Sequence, residues 1–243
     1  LSKNMVDIKA RRLFKKAREI DPKIKYNIFG SKTGRLTTEK NSFPIHTLGK
    51  SLRSVLKPNN DWFVELDFNA AELRTFLALA DVAQPQEDIH EWIGKNIFND
   101  VADRDETKKK VFAWLYNPES QNKELNSIFN KEEMLKRFYK DDIIETPYHR
   151  KIQADQHHAL NYLIQSTASD LFLRRMLAVD KLLEGRKSYV AYCIHDSLVL
   201  DFSNDDREIL MEIVERFSKT EIGDFKVNLS AGKDFGNMSS LHI

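Results

Sequence analysis

The sequence predicts an α+β fold in which antiparallel strands are backed by long helices, and three observations carry the prediction. WFVELDF (Trp62 to Phe68) alternates Trp62, Val64, Leu66 and Phe68 against Phe63, Glu65 and Asp67, the period of two expected of a strand, and is followed by the helix-forming AAELRTFLALA. SYVAYCI (Ser188 to Ile194) and SLVLDF (Ser197 to Phe202) are two apolar strand-type runs separated only by His195-Asp196, the spacing of a tight hairpin. RDETKKKVFAWLY (Arg104 to Tyr116) and the stretch from Ala154 to Leu183 have helical character instead.

Taken in order, a first helix is expected over Met5 to Glu19, closed by Asp21-Pro22 because proline is a poor continuation. Its apolar side would be Ile8, Leu13, Phe14 and Ala17, and its dense basic run, Lys9 to Arg18, serves equally as a solvated face or as a grip on phosphates. KYNIF (Lys25 to Phe29) reads as a strand and GSKTGR as a loop. Asp67 shares a face with Phe63 and Glu65 at the end of its strand, and Glu72 falls in the first turn of the helix that follows. Helices are expected over Gln86 to Phe98 and Arg104 to Tyr116, and one or two short ones within the polar stretch from Pro118 to Asp142. ETPYHRKI (Glu145 to Ile152) reads as a small hairpin, Ala154 to Leu183 as one long helix, Asp205 to Ser218 as a last helix, and KVNLSAG as a closing strand.

Bulk properties narrow the classes of function. With 41% hydrophobic and 31% charged residues among 243, the chain can bury a substantial core as one large or two small domains. It has no apolar run long enough for a membrane span and no signal-like start. The single cysteine, Cys193, excludes an intramolecular disulfide and a multi-cysteine zinc site, and makes a reducing compartment the default. A net charge of +1 argues nothing for nucleic acid. The chain starts at Leu1, so an excerpt or a processed product is expected.

Two aspartates, Asp67 and Asp196, end or turn the most apolar runs, and acids held at the tips of rigid elements commonly hold metal. Singly, an aspartate at a turn is as readily a turn former or a helix cap. Between them Arg104, Lys108, Phe112 and Tyr116 recur every fourth residue, a slowly drifting stripe on one helix face. Two cations and two aromatics on that stripe suit a nucleoside triphosphate. Lys109 and Lys110 are out of phase with it and read as solvated.

These segments, in this order, resemble the family A DNA polymerases, the group of bacterial DNA polymerase I and the replicative enzymes of T7-like phages. Asp67 with Glu72-Leu73-Arg74, the Arg104/Lys108/Phe112/Tyr116 helix and His195-Asp196 are similar to that family's palm and fingers motifs. Thr33-Gly34-Arg35-Leu36, Asp88-Ile89-His90, and Asn161 with Gln165 add to the likeness, which runs from about Tyr26 to Phe235. The resemblance implies a right-hand architecture without a complete thumb: an antiparallel-sheet palm and helical fingers. Residues 1–24 would connect thumb to palm, 25–85 form the first part of the palm, 86–142 the fingers and 143–243 the second part of the palm.

The activity implied is template-directed addition of deoxynucleotides to a primer 3′ end. Asp67 and Asp196, with the backbone carbonyl of Phe68, would hold two Mg²⁺ ions roughly 3.5–4 Å apart. Arg104, Lys108 and His90 would meet the triphosphate, Phe112 the sugar and base, and Tyr116 the templating position; Glu72 would close the space of a ribose 2′-hydroxyl. Arg35, Asn161, Gln165 and His195 would contact the primer–template DNA, where minor-groove acceptors recur at every base pair. The implied partners are primer–template DNA and dNTPs, together with an upstream thumb or exonuclease segment or an accessory protein. The implied setting is the cytoplasm of a bacterium or a virus-infected host cell, with an organelle left open, and the short intervals between motifs suggest a compact, viral enzyme. Ser197 stands where many members carry glutamate and Asn117 where glycine is usual. Two rivals remain: a single-subunit RNA polymerase, which Glu72, Arg35 and Gln165 argue against, and a non-catalytic DNA-binding palm subunit, against which the intact acids and cations weigh.

Overall fold

The computed structural model describes residues 8, 10, 11, 13, 15, 23–98, 103–117, 120 and 122–241. These fall into two compact units, one of residues 1–67, 175–217 and 227–243, the other of residues 68–174 and 218–226.

The first unit carries a five-stranded sheet in the order Ser239–Leu241, Val227–Gly232, Trp62–Phe68, Ser197–Phe202, Tyr189–Ile194. The Trp62–Phe68 strand pairs antiparallel with Ser197–Phe202, Asp67 lying opposite Ser197. Ser197–Phe202 pairs in turn with Tyr189–Ile194 across the two-residue turn His195-Asp196. His195 takes a left-handed conformation, φ 54°, uncommon for a residue with a side chain but suited to so tight a hairpin. Phe63, Tyr192, Ile194 and Val199 from the sheet are buried with Ala10, Leu13, Ile45, Leu52 and Phe235.

The basic N-terminal segment is helical at each of its described positions, 8, 10, 11, 13 and 15. Its buried side is Ala10 and Leu13, whereas Ile8 is exposed, because five residues of helix turn Ile8 well away from Leu13. The remainder of Met5 to Glu19, including Lys9, Phe14, Ala17 and Arg18, lies outside the described residues. The KYNIF strand shrinks to Tyr26–Asn27, paired with Thr37–Thr38. The side chain of Asn27 accepts from the Phe29 N–H (2.9 Å), a local turn that competes with the ladder and leaves Ile28 and Phe29 exposed.

The second unit is mainly helical. Ala70, in the left-handed region with φ 52°, turns the chain from the central strand into helix Ala71–Leu79 and places Glu72 in its first turn. Helix Ile89–Asn96 is capped by Asp88, whose side chain accepts from the N–H groups of His90 and Glu91; this cap starts the helix three residues later than the apolar pattern suggests. Helix Arg104–Tyr116 buries Thr107, Val111, Trp114 and Leu115 and leaves Arg104, Lys108, Phe112 and Tyr116 to the other side. Trp114 packs edge-on against Phe76, ring centroids 5.3 Å apart, within a core that also takes in Ile89, Ile93 and Leu163.

Two short helices, Lys123–Ile128 and Lys131–Lys136, occupy the polar stretch; Pro118 and Glu119 lie outside the described residues. The small hairpin pairs Ile143–Glu145 with Lys151–Gln153, and Tyr139–Lys140 adds a third strand. The long helix runs Gln156–Leu182, with residues to 174 in the second unit and from 175 in the first. The expected last helix begins as a 3₁₀ segment, Asn204–Ile209, and becomes α-helical over Leu210–Ser218. Among the described residues no helix is long and apolar enough to cross a membrane.

Candidate functional site

In the first unit the strand pairing sets the acids side by side. Asp67 ends the central strand and Asp196 occupies the hairpin turn beside its partner, Ser197. Ser197 Oγ donates to one Asp67 oxygen (2.9 Å) and Asn228 Nδ2 to the other (3.4 Å). A cavity of about 360 Å³ opens here, lined by Glu65, Asp67, Ser197, Asn228 and Ser230 among others. Burial, then the neighbouring charge of Asp196, push the Asp67 carboxyl up to about 6, with Glu65 adding to the effect and the Ser197 and Asn228 hydrogen bonds opposing it. A divalent cation would offset both causes by favouring the ionised carboxyl, so this donor set fits one. Among the described residues no three His, Cys, Asp or Glu side chains are placed to hold one ion together, so an ion here would draw its other oxygens from backbone, water or substrate.

Beside the acids, His195 is exposed on its turn and stacks on His46, ring centroids 5.4 Å apart with planes 19° from parallel. Burial and the His195 charge both lower the pKa of His46. Tyr26 also packs on His46 (5.9 Å between ring centroids), and its hydroxyl donates to the Cys193 carbonyl (2.7 Å) and accepts from the Cys193 N–H (2.9 Å). Sequence reading missed His46 and Tyr26, because His46 sits in a three-residue 3₁₀ turn and Tyr26 on a two-residue strand, both too short to carry a period.

In the second unit the predicted stripe is continuous. Lys108 Nζ lies 6.0 Å from the centre of the Phe112 ring, Phe112 lies 5.7 Å from Tyr116, and His90 approaches Phe112 at 6.1 Å. Lys110 points elsewhere, paired with Glu106 (3.0 Å) and lying over Phe98 (5.5 Å). Both ends of the stripe meet acids on other elements. Arg104 donates to Asp88 (2.8 Å), and the Tyr116 hydroxyl donates to Glu72. His90 is buried, and its Nδ1 has no hydrogen-bond partner among the described residues. Burial first, with the cations Arg104 and Lys108 added, lowers its pKa to about 4 against the pull of Asp88, so the ring is neutral at pH 7.

Arg74, third residue of the Glu-Leu-Arg motif, is buried rather than presented to a ligand. Its guanidinium donates to the carbonyls of Asn69 (2.8 Å), Pro85 (2.8 Å) and Glu87 (2.9 Å), which ties the strand end to the turn before His90. Asn161 and Gln165 are half-buried one turn apart on the long helix. Asn161 lines a cavity of about 470 Å³ with Leu115, Tyr116, Phe129, Lys131 and His157. Arg35 is exposed in the loop between the two short N-terminal strands.

The family model described as DNA polymerase family A matches residues 119–239. That match takes in Asn161, Gln165, His195 and Asp196, and begins downstream of Asp67 and the stripe helix. No curated protein matches the chain. Among solved structures, the POL domain of Pol1 from M. smegmatis, in complex with DNA primer-template and dNTP, is similar in fold, with a TM-score of 0.73 at 17% sequence identity. The likeness covers 94% of this chain and 52% of that one, so this chain spans about half the length of the structure it resembles.

Proposed function

From a chain that belongs to DNA polymerase family A, we propose a template-directed DNA polymerase that extends a primer 3′ end, the first unit supplying an acid set and the second a cation set. One observation carries the reading: two adjacent carboxylates, one of them held protonated to about pH 6 by burial and by the other's charge, an arrangement that calls for a cation. Such a pair costs stability unless it has a use.

Asp67 and Asp196, with the Phe68 carbonyl, would hold Mg²⁺, the hard cation that oxygen ligands with room for water and phosphate favour. Two bound Mg²⁺ ions would supply Lewis-acid activation of the 3′ oxygen and neutralisation of the pyrophosphate leaving group. Ser197 and Asn228 orient the Asp67 carboxylate, so the serine found in place of glutamate still serves the acid beside it. Arg104 and Lys108 take the charge of the triphosphate as the α–β bond breaks. His90, neutral, adds a hydrogen bond to phosphate without adding charge.

Phe112 bears on the sugar and base. Glu72 closes the space of a 2′-hydroxyl, and its bond to Tyr116 fixes both side chains until a templated base displaces the ring. Arg35, Asn161, Gln165 and His195 contact the primer–template, with His46 supporting the His195 ring from behind. Donors aimed at minor-groove acceptors check pair shape and read no sequence, which suits copying.

Primer extension with dNTPs and, separately, rNTPs tests the proposal. Templated extension with dNTPs well above rNTPs is expected. Preference for rNTPs would favour the RNA polymerase reading, and DNA binding without extension the non-catalytic one.

A further inference from the structure

The acid that holds Arg104 has no part in the scheme above, yet both of its oxygens are engaged. One oxygen of Asp88 accepts from the N–H groups of His90 (3.0 Å) and Glu91 (3.2 Å), capping helix Ile89–Asn96. The other accepts from Asn69 Nδ2 (3.0 Å) and from the Arg104 guanidinium (2.8 Å). Asn69 is itself fixed, its N–H on the Lys226 carbonyl (2.9 Å) and its side-chain oxygen 3.3 Å from Arg74. The Asp88 side chain is 17% exposed and that of Arg104 43%, so a rigid, shielded anion faces a cation that solvent and ligands can reach.

A carboxylate on a guanidinium takes the same donors and the same charge that a phosphate oxygen would take. We propose that Asp88 stands in for a nucleotide phosphate on Arg104 in the nucleotide-free protein, holding that side chain in position and setting nucleotide affinity as a competitor that an incoming triphosphate must displace. The inference rests on the reading of Arg104 as a triphosphate-binding residue. A ligand gains Arg104 only by breaking the Arg104–Asp88 pair, and so recovers only part of that contact. Lys108 and His90 must supply the remainder, which favours a ligand long enough to reach all three. After displacement Asp88 keeps the two backbone N–H groups and Asn69, so it is not left without donors. Burial works against its charge, but the Arg104, Asn69 and Glu91 hydrogen bonds outweigh it and hold the carboxyl well below the usual carboxylate range. The competitor is therefore ionised at any working pH.

Asp88→Asn and Asp88→Ser each remove the charge while keeping an oxygen that can cap the helix. Binding of inorganic tripolyphosphate to the whole chain is measured at fixed salt for the wild type, for both variants, and for each in an Arg104→Ala background. Losing a partly exposed ion pair is worth about a two- to fivefold change in affinity. The expected result is tighter binding by that factor in both variants, with the gain abolished when Arg104 is absent. A helix damaged at its cap would bind more weakly, so tightening separates competition from a structural role. Unchanged or weaker binding in both variants, with Arg104→Ala still weakening the wild type, overturns the inference alone. If Arg104→Ala leaves tripolyphosphate binding of the wild type intact, the reading of Arg104 falls and takes the inference with it. The readout is independent of primer extension.

Discussion

The two candidate regions, the acid pair and the cation stripe, handle charge in opposite ways. In the first unit strand pairing brings Asp67 and Asp196 together, and burial first, with the Asp196 charge added, pushes the Asp67 carboxyl up to about 6. In the second, Arg104 already has a carboxylate on it, Tyr116 has Glu72, and the buried histidine between them is neutral. A metal ion would offset the burial and like-charge repulsion at Asp67, whereas Arg104 on the stripe already has Asp88 as a counter-charge that a nucleotide would displace. Metal should therefore bind by relieving repulsion and nucleotide by exchange. That contrast says which substitutions abolish chemistry and which retune it.

The largest effect is expected at the acids. Asp67→Ala and Asp196→Ala should each lower primer extension by about a thousandfold or more, while primer–template affinity, which comes mainly from phosphate contacts elsewhere, falls little. Single-turnover extension beside a gel shift reads both. Substantial residual extension would erase the distinction between the acid pair and the cation stripe.

Next come the cations. Arg104→Ala and Lys108→Ala should slow the chemical step by roughly two orders of magnitude, as loss of one preorganised donor typically does. Lys109→Ala and Lys110→Ala should be mild, Lys110 being engaged with Glu106 and Phe98. Equal losses at all four positions would mean that the stripe is wrongly drawn.

Glu72→Ala should change selectivity more than rate, lowering discrimination against ribonucleotides by about tenfold in the ratio of kcat/KM values for dNTP and rNTP. The Glu72–Tyr116 bond complicates this variant, and Tyr116→Phe resolves it by removing the hydroxyl while leaving the carboxylate in place. A ratio unchanged in Glu72→Ala, or moved as far by Tyr116→Phe, would assign Glu72 to holding the tyrosine.

The smallest effects are pH slopes of opposite sign. Asp67 has a folded pKa of about 6 against 3.8, so the folded state holds the extra proton and stability falls as pH rises through that window. His90 has a folded pKa of about 4 against 6.5, so the unfolded state holds the extra proton and stability falls as pH drops through that window. Melting Asp67→Asn and His90→Gln beside the wild type between pH 4 and 7 should remove one slope each. For buried His90 the difference should be on the order of 1 kcal/mol, a few degrees in Tm. Differences of the same sign would contradict the contrast.

What the sequence disclosed and what it hid follow from range. The alternation around Asp67 and the four-residue stripe through Arg104 are local, and helix and strand periods turn them directly into faces. The bonds that decide how those faces behave are not local. Ser197 reaches Asp67 across 130 positions, Tyr116 reaches Glu72 across 44, and Arg104 reaches Asp88 across 16. No period links such pairs. Arg74 is hidden for the same reason, since only the carbonyls of Asn69, Pro85 and Glu87 show that it is buried and structural. Short ladders such as Tyr26–Asn27 with Thr37–Thr38 are too brief to give a pattern, and exposed Phe29 shows that an apolar pair need not be core.

Calorimetric titration with Mg²⁺, at pH 7.5 and pH 5, of the wild type, Asp67→Asn and Asp196→Asn tests the acid pocket most directly. An ion that relieves repulsion between two carboxylates must compete with the proton on Asp67. Binding should therefore be weaker at pH 5 than at pH 7.5, should release protons below about pH 6, and should weaken about tenfold or more in either variant. Binding equally tight at both pH values, or undiminished in both variants, would contradict the account.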